Sequence, residues 1–143
     1  MKIYSLLILL ILSQSLSAQL EVPRFAANDS IIYHTAYSLS YNPIYKQVNW
    51  IAYLLTREET SNTIPRSNNF KEDPLVPGTD FSKDYYKSGY DRGHLAPAAD
   101  MGFSKITMLE SFYYTNISPQ TPSFNRGIWK KLKFRSKNSE KIT

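Results

Sequence analysis

The stretch YDRGHLAPAADM (90–101) sets Arg92 and His94 on either side of one glycine, in a chain that holds two histidines among 143 residues. In an extended segment, residues two apart face the same side, so guanidinium and imidazole would share one surface. A fixed positive charge beside the ring disfavours its protonated form and leaves a neutral imidazole able to accept a proton. The planar fork of the arginine matches two oxygens of a phosphate. A neutral base beside a phosphate clamp is what hydrolysis of a phosphodiester asks of a protein. The plainer reading of His94, next to Leu95 and Ala96, is a hydrogen-bonded core residue. Its neighbours favour the chemical one.

Asn125 is the second candidate. Asparagine near the start of a helix is most often a local cap or a solvated side chain. Its amide oxygen is also a ligand that Mg²⁺ accepts, with water filling the remaining positions. His34 lies in a strand-like run and is assigned no chemistry. Tyr85, Tyr86 and Tyr90 could stack on nucleobases, with ordinary packing an equal alternative.

These residues need elements to hold them. IIYHTAYSLSYN (31–42) alternates apolar and polar types and is rich in β-branched and aromatic residues, which predicts a strand. QVNWIAYLLT (47–56) predicts a second one, paired with the first as an antiparallel hairpin. Residues 57–80 are polar, carry Pro65, Pro74, Pro77 and Gly78, and read as a long loop of the kind that often bears function. SKITMLESFYY (104–114) predicts a helix capped by Ser104, with Ile106, Leu109 and Phe112 or Tyr113 on its buried side. NISPQ (116–120) reads as a connector. Thr121 then caps a further helix with Pro122 at its first position and Phe124, Ile128 and Leu132 as its apolar stripe. Sheet mixed with short helices argues for an α+β fold.

The first eighteen residues stand apart. Lys2, an apolar run from Ile3 to Leu12, and small or polar residues up to Ala18 have the order of a secretory signal peptide. The run is shorter than the about 20 apolar residues that span a bilayer, so the mature protein is expected outside the cytoplasm, secreted or periplasmic, with no stable membrane anchor. The sequence contains no cysteine, which removes disulfides and thiolate metal sites. Its net charge of +5 suits a polyanionic partner, although much of the basic excess lies in the last fourteen residues.

With these residues in view, DRGHLAPAADM followed by TNISPQTPSFNRGIW is similar to the DNA/RNA non-specific endonucleases of the ββα-metal, or His-Me finger, class. YSLSYN (37–42), NWIAYLLT (49–56) and PRSNNFKEDPLVP (65–77) resemble the leading strands and the arginine-bearing loop of that family. The resemblance implies a ββα-metal fold with an antiparallel sheet and short helices. It also implies roles for individual residues. His94 would be the general base and Asn125 the direct ligand of one Mg²⁺, with Mn²⁺ or another divalent cation admissible. Arg92 and Arg66 would hold the scissile phosphate, and Asn116 would help arrange the histidine and the metal region. Asp91 would order the DRGH strand. The substrates implied are DNA and RNA, held through their backbones.

The family pattern continues W-x-x-L-E, whereas here Trp129 and Leu132 are followed by Lys133. Eight residues after Asn125 is about two helical turns, about 12 Å, so Lys133 would face the water shell of the metal and repel it. The sequence stops at Thr143, where family domains usually continue, and KFRSKNSEKIT (133–143) reads as a polar basic tail. The expected organisation is therefore a signal peptide at 1–18, a nuclease domain at 19–132, incomplete at its C-terminus, and a tail at 133–143. Three functions stand open: a secreted endonuclease, a catalytically impaired remnant that only binds nucleic acid, and an exported structural or adhesion domain.

Overall fold

A computed structural model describes residues 30–61 and 63–139, with side chains as far as Lys133. The expected signal peptide and the last four residues of the tail lie outside the described residues. The architecture is α+β, with five strands in two antiparallel sheets and four short helices among the described residues.

The run 31–42 was expected as one strand and forms two. β1 (Ile31–Tyr33) and β2 (Ser38–Asn42) fold back on each other, with Ile31 opposite Ser40 and Tyr33 opposite Ser38. The break has a polar cause. His34 Nε2 is bonded to Asp73, and both the amide and the hydroxyl of Thr35 donate to Glu110, so these residues leave the ladder. The His34 N–H closes the turn on the Tyr37 carbonyl. β3 (Gln47–Ala52) then pairs with β2, as the hairpin reading expected, but ends four residues early. The next residue, Tyr53, turns its hydroxyl to Asp100. Buried Tyr37, Leu39, Ala96 and Met101 form the core under this sheet.

The long loop is present and is punctuated by one turn of 3-10 helix at Glu58–Thr60. It is anchored where Lys71 bridges to Tyr113 and where Asp73 is buried. α1 (Ser82–Tyr85) follows. β4 (Asp91–His94) pairs with β5 (Ile117–Gln120), so NISPQ is a strand rather than a connector. Pro119 masks it in sequence. In a two-stranded ladder the missing N–H of proline can face away from the partner. At Gly93 an added Cβ would fall 2.1 Å from the Gln120 side chain, so a larger residue here would force Gln120 to move.

α2 (Lys105–Glu110) is capped as expected, Ser104 Oγ accepting from the Thr107 N–H at 3.1 Å. Its buried face differs from the expected one. Thr107 and Met108 point inward while Ile106 and Leu109 are exposed. A hydroxyl decides the rotation: Thr107 donates to the Met101 carbonyl at 2.7 Å and is thereby satisfied in the interior. Phe112 and Tyr113 are buried as expected.

The last expected helix is two. α3 (Pro122–Arg126) starts on Thr121 with Pro122 in its first turn and stops at Gly127; α4 (Ile128–Ser139) continues into the segment expected as a tail. Phe124, Ile128 and Leu132 are exposed rather than buried, so the expected stripe faces outward. The ring of Trp129 stacks on Phe124, and its indole N–H donates to the His94 carbonyl at 3.0 Å. That bond ties α4 to β4. The sequence β4, β5, α3 is the ββα arrangement that the resemblance implies.

Candidate active site

β4 carries the imidazole. His94 is 4% exposed, its ring edge-on to Phe112 at 4.7 Å and tilted against Phe70 at 5.6 Å. The backbone around it is fully committed. Its carbonyl takes the Trp129 indole, and the Leu95 N–H donates to the Asn116 carbonyl. The Nε2 atom has no hydrogen-bond partner among the described residues, an unusual state for a buried ring nitrogen.

Burial pushes the His94 pKa down to about 3, with the charges of Arg66 and Lys133 adding to the effect. The neutral imidazole is as expected; the source of the charge is not. The sequence pointed to Arg92, whose exposed guanidinium instead lies over the Phe70 ring, 4.2 Å from its centroid. Arg66 arrives from the long loop and sits over Phe112, 5.0 Å from the centroid, with Nε bonded to Asn68. Burial lowers its own pKa. Lys133 comes from α4, and its ammonium is lowered first by burial and then by Arg66, with Asp100 opposing.

Asn125 stands in α3, partly buried, and its NH₂ donates to Asp91 at 3.0 Å. The same carboxylate accepts from Arg126 Nε at 2.8 Å. These two bonds hold the Asp91 carboxyl below the usual carboxylate range. Because Asp91 captures the NH₂, the amide oxygen of Asn125 must turn away from it. Asp91 thus links the DRGH strand to the Asn125 helix.

Four of the expected residues converge. Arg66, Arg92, His94 and Asn125 line one groove of about 1040 Å³, together with Arg126, Lys130, Lys131 and Lys133. Asn116, the fifth, does not reach it. It is fully buried, its NH₂ donates to the Ala96 and Ser111 carbonyls, and its oxygen accepts from the Ala96 N–H. With those bonds made, it clamps the chain just after His94. Sequence reading passed over Arg126 and Lys130 as groove residues. The available signal was the spacing of Lys130 and Lys133, three apart on one helix face.

The donor set decides which kind of divalent cation the groove could hold. Among the described residues no three His, Cys, Asp or Glu side chains gather in a group able to hold one. What the groove offers is one amide oxygen and many cationic side chains. That set fits an ion held mostly by water and by oxygens of an anionic substrate, with Asn125 as its protein ligand, and does not fit an ion caged by the protein.

Residues 16–136 match the family described as DNA/RNA non-specific endonuclease. The match runs four residues past the expected end of the domain at 132. The chain is 35% identical to the human protein "Nuclease EXOG, mitochondrial" over 102 residues, 69% of this chain and 28% of that protein. It is 39% identical to the "Mitochondrial nuclease" of Saccharomyces cerevisiae over 66% of this chain and 30% of that one. "Nuclease C1" of Cunninghamella echinulata is 40% identical over 66% of this chain and 40% of its own. A chain in the crystal structure of the EndoG/EndoGI complex superposes with a TM-score of 0.73 at 32% identity, covering 80% of this chain and 49% of that one. The chain therefore spans between 28% and 40% of the length of these curated relatives.

Proposed function

The chain belongs to the DNA/RNA non-specific endonuclease family, and from that premise we propose that it is an exported, Mg²⁺-dependent enzyme that hydrolyses phosphodiester bonds of DNA and RNA without sequence preference. One observation carries the reading. A buried imidazole with an open Nε2 and an amide oxygen held by separate elements border one strongly basic groove.

His94 Nε2 takes the proton of a water molecule, and the resulting hydroxide attacks phosphorus in line as the bond to the 3′ oxygen breaks; that oxygen leaves with the electron pair and takes a proton from solvent, giving a 3′ hydroxyl and a 5′ phosphate. A ring with a pKa near 3 is a weak base in the empty groove. An entering phosphate offsets Arg66 and Lys133, which raises its proton affinity when a substrate is present. Arg66 and Arg92 hold the non-bridging oxygens and the charge that grows on them. Asn125 would hold a divalent ion, which would supply Lewis-acid stabilisation of the departing oxygen. Contacts of this kind fall on the backbone of the substrate, which carries no sequence information.

A second reading has its own support. Lys133 brings an ammonium into the groove where the family pattern has a carboxylate, which favours a protein that retains nucleic acid without cutting it. Supercoiled plasmid and RNA, incubated with the protein in Mg²⁺ and in EDTA, separate the two. Nicking that is lost with EDTA and with His94→Ala supports the enzyme. Salt-sensitive binding without nicking selects the second reading. Export rests on residues 1–18 and is checked by the N-terminal residue of protein recovered outside the cytoplasm.

A further inference from the structure

Beside the main groove lies a second cavity of about 570 Å³, and the two share Arg92, Asn125 and Arg126 as a common wall. Its far side is aromatic. Tyr85, Tyr86 and Tyr90 line it. Tyr85 is stacked on Tyr114 and belongs to the core, whereas Tyr86 and Tyr90 are 74% and 52% exposed. Two exposed tyrosines beside a cationic groove call for an explanation that core packing does not supply.

The turn that presents them is held in place. The Ser88 N–H and hydroxyl both donate to the Tyr85 carbonyl, and the Tyr90 N–H donates to Ser88 Oγ. The backbone that carries the two rings is therefore fixed by these bonds, which limits the ordering cost of binding to the side chains themselves. Lys87 adds its ammonium, 5.3 Å from the Tyr86 ring. Among the described residues lining the cavity, the one carboxylate is Asp91, already bonded by Arg126 and Asn125. The cavity thus combines flat aromatic faces with positive charge, and its volume falls within the range of small-molecule sites.

We propose that this cavity is a nucleotide subsite flanking the scissile phosphate, in which an unpaired base stacks on Tyr86 and Tyr90 while its own phosphate lies on Lys87. A base inside a duplex has both faces covered by its neighbours, so only a single-stranded or frayed segment can use these rings. The inference rests on the nuclease reading and adds to it: backbone contacts alone would treat both strand states alike, and this cavity makes the protein prefer the unpaired one.

Equilibrium binding in the His94→Asn background, which prevents cleavage during the measurement, tests it. Two oligomers of eight units are compared: oligothymidylate, and an abasic phosphodiester chain of equal charge. The bases are expected to improve affinity roughly tenfold or more, as stacking on one or two rings does. Tyr86→Ala with Tyr90→Ala should collapse that ratio towards one, and Tyr86→Phe with Tyr90→Phe should keep it, because phenylalanine preserves the face and removes only the hydroxyl. A ratio near one in the parent protein, or a ratio that the alanine pair leaves intact, overturns the subsite while the nuclease reading stands. Failure to bind either oligomer removes both.

Discussion

Both histidines rest on residues just past the end of α2, His34 against Tyr113 at 5.4 Å and His94 against Phe112 at 4.7 Å. Both are buried, yet their nitrogens meet opposite surroundings. His34 Nε2 bonds Asp73 at 2.9 Å, and Asp73 also accepts from Thr115 at 2.6 Å and from the Leu75 amide. Burial pushes the Asp73 carboxyl up, but the bonds from His34, Thr115 and Leu75 outweigh it and hold it below its usual range. His94 has cations for neighbours and an unpartnered Nε2. Burial by itself does not make a histidine a base. What separates the two is a carboxylate that closes one ring and a groove that opens beside the other.

Exchanging the fates of these rings is the hardest test of that contrast. His94→Ala should lower kcat on plasmid about 10²–10⁴-fold, the usual contribution of a general base. Its circular dichroism should remain native, since Trp129 bonds the backbone carbonyl and not the ring. His34→Ala should do the reverse. Removing His34 takes one hydrogen bond from the buried Asp73 carboxylate, which keeps those from Thr115 and Leu75, at a cost of about 1–3 kcal/mol in stability. Urea unfolding measures that loss, and kcat of the remaining folded protein should stay near the parent value. A His34 variant that folds normally and cuts no substrate would show that the contrast is misdrawn.

The pH dependence of stability sharpens the same comparison. The native pKa of His94 is about 3 against an ordinary 6.5. Between these values the unfolded chain takes up a proton that the native protein does not, so stability from this group is present above pH 6.5 and is lost as pH falls. The slope is about 1.4 kcal/mol per pH unit, or about 2 kcal/mol from pH 6.5 to 5. Unfolding curves of the parent and of His94→Asn at those two pH values should differ by that amount, with the variant flatter. Equal slopes would mean that His94 titrates normally and is solvated.

How far such features can be read from a sequence depends on whether their cause is local. The DRGH and Asn125 motifs, the Ser104 cap and the β2–β3 hairpin depend on neighbouring residues, and they were legible. β5 was hidden by Pro119, whose acceptability in a strand depends on what its partner demands. The rotation of α2 follows from Thr107 finding the Met101 carbonyl, a contact that hydrophobic periodicity does not register. The splitting of the first strand reflects His34 and Thr35 bonding to Asp73 and Glu110, 39 and 75 residues away. For the same reason the sequence points to Arg92 as the charge acting on His94, whereas the loop brings Arg66 and the helix brings Lys133.

Lys133 also offers the gentlest way to make one histidine resemble the other. It is the smallest of the three influences on His94, after burial and Arg66. Lys133→Glu would replace a repelling ammonium with a carboxylate, giving His94 an anionic neighbour as Asp73 is to His34. The pKa of His94 should then rise, yet stay below its ordinary value, because burial, the dominant cause, is untouched. The pH range over which that stability is lost should then narrow at its acid end. The same substitution removes a charge that would oppose a divalent ion in the groove, where Asn125 is its proposed ligand. Calorimetric titration should therefore show Mg²⁺ or Mn²⁺ binding several-fold tighter in Lys133→Glu than in the parent protein. If the affinity and the His94 titration are both unmoved, the ammonium does not face the groove, and the departure from the family pattern at this position has no bearing on catalysis.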